Sequence, residues 1–417
     1  MPTPKTIAIV GAGGRGDLFA TLIADHPHLA RVVAVAEPRD SYRTHIAAGR
    51  GFAPEMTFRT WQEFIAKPRL CDAVVIATMD REHAGPAVAC LDKGYDLLLE
   101  KPMAVTLADC RAIEAAQRRS GRIVGVCHSM RYHKGFRKVK ELIDAGAIGR
   151  IVSLDQLEQV AYWHQAHSFV RGNWANQGRS TFMLMAKSCH DIDYIAYLVG
   201  RPCRRVSSFG ALTHFTAANA PPGSTARCTD GCPAEPSCPY SAIRQYTAQR
   251  LDVWPVNVVS FEHSVAAHLE AIRTGPYGRC VYRCDNDVVD HQVVALEFEG
   301  DITATFTMTG MTQGHGRRLR IHGDRGDLAM DDETETITIR TYGDNNVTTI
   351  KIAPETGAHG GGDQRVIRTW LDALHTRDTT ALVADAQESL RTHTIVFAAE
   401  QARLEKRVVS LVEMAAG

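Results

Sequence analysis

The stretch Leu97-Leu98-Leu99-Glu100-Lys101-Pro102 places two charged side chains directly after a run of leucines. A strand deep inside a parallel sheet reads as a continuous apolar run, and ligands of open α/β sheets bind just beyond the carboxyl ends of such strands. Glu100 and Lys101 are therefore charged groups at the edge where a sheet of this kind binds its ligands. Pro102 fixes the backbone after them, and an X-Pro bond can be cis, which would redirect Lys101. A solvated Glu–Lys pair is the alternative.

A second set of chemically active side chains follows helical spacing within a helix predicted over Met183–Val199. Its apolar residues recur at i, i+3, i+4 and i+7 and mark the buried face: Ile192, Ile195, Ala196 and Val199. On the opposite face the spacing places an amine, an imidazole and two phenols: Lys187, His190, Tyr194 and Tyr197. Histidine titrates near neutrality, which suits proton exchange with a substrate hydroxyl. A solvated polar face explains the pattern equally well.

Aromatic, histidine and arginine side chains are concentrated after the predicted strand Ile151–Leu157. They are Tyr162, Trp163, His164, His167, Phe169, Arg171 and Trp174. Rings can stack on the apolar face of a sugar while imidazole and guanidinium groups bond its hydroxyls, so this composition suits a polyol pocket. A surface loop held in place by aromatic rings is the alternative.

The chain has 11 cysteines, an odd number, and most are scattered singly, which fits a reducing compartment. Three lie close together in a cysteine-rich loop at 217–245, as Cys228-x3-Cys232-x5-Cys238. A loop with little core of its own and three such cysteines predicts a structural zinc site, for which we choose Cys284 as the fourth ligand. Free thiols and a disulfide remain open as alternatives.

The elements that must position these groups begin with the strand Thr6–Val10 and the sequence Gly11-Ala12-Gly13-Gly14-Arg15-Gly16. This is G-x-G-x-x-G between a strand and a helix, where glycines admit a pyrophosphate to the helix N-terminus. We expect the cofactor to contact Gly11, Gly13, Gly14, Arg15 and Gly16.

A second strand ends in Glu37, 21 residues after Gly16, where an acid accepts hydrogen bonds from the adenosine ribose. Glu37 favours NAD, because its charge would repel a 2′-phosphate. Arg39 could instead stack on adenine or pair with that phosphate, so NADP remains possible.

Strands and helices alternate through the first third of the chain, which predicts a parallel sheet wound on both faces. The predicted strands are Val32–Ala36, Asp72–Thr78, Asp96–Glu100 and Arg122–Cys127. The predicted helices are Asp17–Ala24, His83–Lys93 and Leu107–Ser120. We assign residues 1–127 to an N-terminal dinucleotide-binding domain of the Rossmann type.

Beyond residue 127, the strands follow one another closely without helices between them, which implies antiparallel pairing. In the strand at residues 302–308, Ile302, Ala304, Phe306 and Met308 alternate with threonines. Further strands are predicted at Arg318–His322, Thr334–Thr341 and Val347–Ile352. C-terminal helices are predicted within 364–407, at Gln364–His375, Ala384–Arg391 and Thr394–Arg403. We therefore expect residues 128–417 to form an α+β domain with a large, mostly antiparallel open sheet, in a protein of the α/β class.

Bulk composition agrees with this organisation. A chain of 417 residues is too long for one ordinary core, so two domains are expected. A formal net charge of zero without a basic tract argues against nucleic acid or an anionic membrane as a partner. No apolar stretch reaches the roughly 18 residues that a membrane span needs, and we expect a cytoplasmic protein.

The glycine loop, Ala77-Thr78 with His83 after the next strand, and Glu100-Lys101-Pro102 together resemble the Gfo/Idh/MocA family of oxidoreductases. The resemblance implies that Lys101 is catalytic, that Glu100 and Pro102 position it and that the Lys-Pro bond is cis. It also implies that Thr78 and His83 border the cofactor near its nicotinamide end. A small carbohydrate or cyclitol substrate, NAD and a homo-oligomer (a dimer or tetramer) are further implications.

The stretch Ser188–Asp193 resembles the second motif of this family, in which an aspartate normally lies four residues before the histidine. His190 and Asp193 fit, but the aspartate is replaced by Ala186, with Lys187 beside it. His190 is thus the expected proton-handling group, without its usual carboxylate. Substrate contacts are expected from Lys101, Arg131, Tyr162, Trp163, His164, His167, Arg171, Trp174, Lys187 and His190.

The resemblance also places the glycine run His359–Asp363 near the substrate end of the cleft. It predicts a nicotinamide-dependent oxidoreductase that transfers a hydride between NAD(P) and a carbinol carbon of a sugar, sugar derivative or cyclitol. One alternative is an NAD-dependent glycosidase that oxidises, eliminates and re-reduces with no net redox change. The other is a non-catalytic NAD-binding regulatory protein.

Overall fold

The computed structural model describes residues 3–343, 346–355, 357 and 359–416, and two sheets organise them. The first is six-stranded and parallel, in the order β3-β2-β1-β4-β5-β6. Its strands are β1 Lys5–Val10, β2 Ala30–Ala36, β3 Thr57–Phe58, β4 Ala73–Ile76, β5 Asp96–Leu99 and β6 Val124–Val126. The helices between them are α1 Gly14–Ala24, α2 Asp40–Arg50, α3 Trp61–Ala66, α4 Ala84–Asp92 and α5 Leu107–Ser120. The predicted Rossmann arrangement is confirmed.

The second sheet has nine strands, in the order β14-β13-β12-β11-β7-β10-β9-β8-β15. Its strands are β7 Ile151–Gln159, β8 Cys203–Ala211, β9 His291–Phe298, β10 Ile302–Thr309, β11 Gly316–Gly323, β12 Gly326–Asp331, β13 Thr336–Thr341, β14 Val347–Lys351 and β15 Val409–Ser410. Only the β7–β10 pair is parallel, and the other pairs are antiparallel. The mostly antiparallel sheet is therefore also confirmed, and the alternating apolar residues of β10 face the core.

The helices that accompany the second sheet are α6 Lys134–Asp144, α7 Tyr162–His164, α8 Met183–Ala186, α9 Cys189–Val199, α10 Ala242–Thr247, α11 Val265–Thr274, α12 Gly362–Thr376, α13 Ala386–Glu405 and α14 Leu411–Ala416. A stretch of wider, π-type turns at Gln165–Arg171 continues α7. Two predicted elements were wrong. The helix expected over Met183–Val199 is interrupted at Lys187 and Ser188, and the two segments expected within 384–403 form the single helix α13.

The C-terminal helices return to the first sheet. Val366, Ile367 and Trp370 of α12 are fully or almost fully buried in the same apolar cluster as Ile9 and Leu98 of the parallel sheet. Hydrophobic burial therefore ties the end of the chain to its beginning. The division of the chain into two domains between residues 127 and 128 remains a prediction.

Residues 212–290 form an insertion between the neighbouring strands β8 and β9. It has small apolar clusters of its own, one of which contains Tyr246, Val256 and Ile272. Across all described ranges, no helix combines the length and the apolar character that crossing a membrane requires.

Candidate active site

The glycine loop is close-packed because the chain crosses itself there. Gly11 has φ of +90°, and a Cβ atom on it would lie 2.5 Å from the Ala77 carbonyl oxygen. A Cβ on Gly16 would lie 1.9 Å from the Gly11 carbonyl oxygen, whereas one on Gly14 would meet nothing within 4 Å. Two of the glycines are thus required by the turn itself. The result is a helix N-terminus with room for a pyrophosphate.

Glu37 is buried at the end of β2, where the sequence predicts the ribose site. Its carboxylate accepts hydrogen bonds from the Ala12 amide at 2.8 Å, the Arg39 amide at 3.0 Å and Arg39 Nε at 2.6 Å. Burial alone would raise the pKa of Glu37, but these bonds lower it below its usual value. The Arg39 guanidinium also lies 3.7 Å from the ring centroid of Tyr42.

Glu100 is held by its neighbour Lys101 and by Arg15 of the glycine loop. Its carboxylate accepts a hydrogen bond from the Lys101 amide at 2.9 Å and one from Arg15 Nε at 2.5 Å. Arg15 also pairs with the buried Asp363 at 2.8 Å. The predicted cofactor contact Arg15 is therefore engaged in linking the glycine loop to Glu100 and to the N-terminus of α12.

The predicted cis bond between Lys101 and Pro102 is present. His83 braces this loop, because its Nδ1 lies 2.7 Å from the Pro102 carbonyl oxygen and its Nε2 lies 3.2 Å from the Thr78 carbonyl oxygen. The Thr78 hydroxyl is buried and has no hydrogen-bond partner in the described part of the chain. It is a free polar group beside the cleft, as a cofactor contact should be.

Lys101 reaches beyond the parallel sheet to α8, where its Nζ donates a hydrogen bond to the Ala186 carbonyl oxygen at 2.7 Å. His190 lies in the following helix and is buried, and neither ring nitrogen has a partner among the described residues. Burial lowers the pKa of His190 well below its usual value, and the positive charge of Lys101 lowers it further. The structure thus brings together the amine and the imidazole that the sequence predicts.

The break in the predicted helix changes the environment of Lys187. Its ammonium forms an ion pair with buried Glu158 at 2.9 Å, and Arg317 pairs with the same carboxylate at 2.8 Å and with Asp191 at 2.7 Å. The Tyr194 hydroxyl donates to the Phe136 carbonyl oxygen at 2.7 Å. The alternative of a solvated polar face is therefore wrong for Lys187 and Tyr194, because both groups are largely buried and paired within the protein.

His164 lies next to His315, with 3.4 Å between His164 Nδ1 and His315 Nε2. Burial lowers the pKa of His164 well below its usual value, and the nearby Lys187 adds to the effect. His315 is more exposed, and its pKa is lowered to about 4 by partial desolvation and by the charge of Lys187. Trp163 stacks on His164 with ring centroids 5.6 Å apart. Neutral imidazoles and an indole thus line the wall beyond Lys187, and they can exchange hydrogen bonds with hydroxyl groups.

Other predicted substrate contacts are committed to protein partners. Arg131 pairs with Asp193 at 2.7 Å, and His167 Nδ1 lies 2.9 Å from the Tyr246 hydroxyl. Arg171 donates to the carbonyl oxygens of Arg279 and Tyr240, each at 2.7 Å. Trp174 donates to Asp80 at 2.9 Å. Tyr162, half-buried, lies in the apolar cluster around Tyr240.

The predicted zinc site is not supported. Cys228, Cys232 and Cys238 border a small cavity together with Cys280, whereas the Cys284 thiol donates to the Cys280 carbonyl oxygen at 3.3 Å. Among the residues that the structure describes, no three or more His, Cys, Asp or Glu side chains are placed to hold a metal ion. All cysteines are free, so the alternative of free thiols agrees with the structure. Cys284, chosen as the fourth ligand from 46 residues after Cys238, does not join the other three at this cavity.

Several residues of the site were not among the predicted ones: Glu158, His315, Arg317 and Asp363. Glu158 lies near the end of β7, and Arg317 lies near the start of β11, so only the pairing of these two strands brings them together. Asp363 follows the glycine run after His359, and the His359 Nδ1 lies 2.9 Å from its carboxylate. An acid and a histidine that flank three glycines are the one local signal that could have found part of this set.

The residues present fit a dinucleotide: a glycine loop in which Cβ atoms on Gly11 and Gly16 would clash, a buried acid at the predicted ribose position and a Thr78 hydroxyl with no partner among the described residues. Family models agree. Residues 5–128 match the oxidoreductase family model for the NAD-binding Rossmann fold, and residues 140–411 match the model for its C-terminal alpha/beta domain. The chain belongs to the Gfo/Idh/MocA family of oxidoreductases.

Relatives within this family are similar over different lengths. YteT of Bacillus subtilis is 26% identical over 326 residues, which are 74% of this chain and 74% of that protein. Inositol 2-dehydrogenase 1 of Saccharopolyspora erythraea is 33% identical over 144 residues, which are 34% of this chain and 42% of that one.

Solved structures share the fold over almost the full length. Scyllo-inositol dehydrogenase from Lactobacillus casei, with NAD(H) and scyllo-inositol bound, superposes with a TM-score of 0.68 at 15% identity, covering 98% of this chain and 99% of that one. A levoglucosan dehydrogenase in complex with NADH and levoglucosan gives a TM-score of 0.71 at 17% identity, with the same coverage. At such identities the similarity concerns the fold.

Proposed function

We propose that this protein is an NAD-dependent dehydrogenase that oxidises a secondary hydroxyl of a sugar, sugar derivative or cyclitol. The observation that carries the proposal is the convergence of Lys101 and unpartnered, buried His190 at the carboxyl end of β5. The similar proteins whose names specify inositol or levoglucosan as substrate support the substrate class.

The roles of the chain's own groups follow from their charges. The low pKa of His190 keeps its imidazole neutral, so a ring nitrogen can accept the substrate hydroxyl proton. The Lys101 ammonium can exchange its bond to the Ala186 carbonyl for one to the substrate oxygen and stabilise negative charge there. Glu100 fixes the backbone of Lys101 through its amide. Nicotinamide, when bound, supplies the acceptor for the hydride that leaves the carbinol carbon.

Cofactor residues are proposed on the same basis. Glu37 would hold the adenosine ribose, with Arg39 beside it, and the amides of the loop from Gly11 to Gly16 would hold the pyrophosphate. Thr78 would contact the cofactor at the nicotinamide end. The carboxylate of Glu37 favours NAD, while its ion pair with Arg39 places a guanidinium beside the proposed ribose site.

The test is turnover on a panel of hexoses, inositols and their glycosides with NAD, followed as formation of NADH. NADH that accumulates with at least one polyol, and does not with the Lys101→Ala variant, supports the dehydrogenase. Bound NAD without turnover on any polyol, together with capture of a specific protein partner, would support the regulatory alternative instead.

A second candidate is the glycosidase that uses NAD without net redox change. It is favoured by Ala186, which stands where the family motif has an aspartate, and by the buried Lys187–Glu158 pair beside it. An altered set of acids and bases next to Lys101 is compatible with altered chemistry. Cleavage of an aryl glycoside without accumulation of NADH would identify this activity.

A further inference from the structure

Trp254, from the insertion between β8 and β9, stands at the outer edge of the proposed substrate site. Its ring is T-shaped to His164 with centroids 4.8 Å apart, and it lies 5.8 Å from the ring of Trp163. The residue nevertheless is 48% exposed. Tyr240 and Tyr246 of the same insertion are buried, whereas Trp254 leaves about half of its surface open to solvent beside these histidine and tryptophan rings.

A series of neighbouring residues connects Lys101 of the proposed reacting centre with Trp254. Lys101 contacts Ala186, and Lys187 follows in the chain and influences His164 electrostatically. His164 in turn contacts Trp254. An indole that is open to solvent therefore adjoins the buried imidazoles of His164 and His167, and Lys101 also acts electrostatically on His164.

The segment that carries Trp254 is anchored at both ends. Val256 is fully buried in the core of the insertion. Further along, Phe261 packs edge-on against Tyr42 of α2, with ring centroids 4.5 Å apart. The segment thus runs from the rings of His164 and Trp163 to the helix that follows Glu37, and both of its ends are fixed by packing.

We infer that Trp254 and Trp163 form a subsite for a second ring attached to the sugar that is oxidised, so that the preferred substrate is a glycoside or oligosaccharide. This inference rests on the proposed function and extends it. An exposed indole face supplies apolar area at low entropic cost, and neighbouring imidazoles supply hydrogen bonds. That combination suits a carbohydrate ring better than an apolar protein surface, because the polar imidazole rings of His164 and His167 have their centroids 4.8 and 5.8 Å from that of the indole.

The experiment compares the methyl glycoside and the phenyl glycoside of each hexose in the panel. The two share the same hexose, and only the phenyl glycoside carries a second ring. We expect the wild-type protein to favour the phenyl glycoside by about tenfold in kcat/KM, mainly through KM, as a stacking contact of this size predicts. Trp254→Ala should remove this preference and leave the methyl glycoside within about twofold, while Trp254→Phe should retain most of it. Tyr342→Ala, an exposed aromatic residue on β13's outer turn, is the matched control.

Equal kcat/KM for the two glycosides in the wild type, or an unchanged preference in Trp254→Ala, would overturn the subsite. A change of oligomeric state in Trp254→Ala would also overturn it, because the ring would then be a contact between copies of the chain. If no carbohydrate is oxidised, the proposed function fails, and saturable quenching of tryptophan emission by the phenyl glycosides tests the subsite separately. Quenching that is absent, or that persists in Trp254→Phe/Trp163→Phe, would contradict it.

Discussion

The Lys101 ammonium donates a hydrogen bond to the Ala186 carbonyl oxygen at 2.7 Å, and this contact joins the end of a parallel strand to the helix before His190. A backbone carbonyl bears no net charge, so this bond pairs the Lys101 ammonium with a dipole and not with a counter-ion. The same charge helps to keep neighbouring His190 neutral. The charge of Lys101 thus has two effects in the proposed reaction: it stabilises negative charge on the substrate oxygen and it helps to keep the His190 imidazole unprotonated.

Removing the amine tests this directly. Lys101→Ala should reduce kcat by about 10²- to 10⁴-fold, because the charge that stabilises the developing oxyanion is lost. Binding of NAD, measured by titration, should change little, because the glycine loop and Glu37 remain. Lys67→Ala, at an exposed position, should retain wild-type turnover. Full turnover by Lys101→Ala would exclude the assigned role.

The pH profile tests the state of His190. Because burial and Lys101 lower its pKa, the base form persists below the usual imidazole pKa of about 6.5, and the acid limb of kcat/KM should lie below that pH. His190→Ala should lose about 10²- to 10⁴-fold in kcat. An acid limb at or above pH 6.5 that disappears in His190→Ala would contradict the assignment of a neutral base.

Buried histidines also predict acid sensitivity of the fold. The pKa values of His167 and His393 are lowered to about 3, chiefly by burial, whereas unfolded histidine titrates near 6.5. The unfolded state therefore binds more protons below that pH, and stability is lost as pH falls from about 6.5 toward 3.

Between pH 6.5 and 5 each of these groups should lower the free energy of unfolding by roughly 2 kcal/mol. Urea unfolding at pH 7, 6 and 5 measures the loss, and His167→Gln should reduce the slope by about one proton. A free energy of unfolding that stays constant over this range would show that these histidines are protonated in the folded protein.

Two glycines of the loop offer a matched pair. Gly16→Ala should abolish NAD binding and destabilise the fold, because its Cβ would lie 1.9 Å from the Gly11 carbonyl oxygen. Gly14→Ala should keep the melting temperature of the wild type, because a Cβ there meets nothing within 4 Å. Thermal unfolding with and without NAD distinguishes the two. Equal stability of the two variants would mean that the loop is more open than described.

Cofactor choice is tested at Glu37. Glu37→Ser removes the carboxylate that engages Arg39 and releases the guanidinium toward a 2′-phosphate. We expect the ratio of NADP to NAD affinity to rise by at least about tenfold, as the loss of one charged contact predicts. Glu37→Asp is the conservative comparison. An unchanged ratio would place the ribose away from Glu37.

The sequence predicts the parallel sheet closely, because continuous apolar strands, a glycine loop and regular spacing are local signals. The motif residues Glu100, Lys101 and His190 could likewise be found from the chain alone. The break at Lys187 could not, because it depends on Glu158 in a strand 29 residues earlier and on the burial of both groups. The prediction of Cys284 as the fourth zinc ligand was wrong for a similar reason. The direction of the Cys284 thiol is set by its own turn, in which it bonds the Cys280 carbonyl, and not by its spacing from Cys238.

The proposed hydride transfer is tested most directly by labelling the hydrogen on the carbinol carbon of the substrate. A polyol that supports turnover is prepared with deuterium at that carbon, and the NADH released to solution is examined by mass spectrometry. If the hydride is transferred as proposed, we expect one deuterium on the nicotinamide ring of NADH for each molecule of ketone formed. Glycoside cleavage with the deuterium retained in the sugar and no free NADH would contradict it.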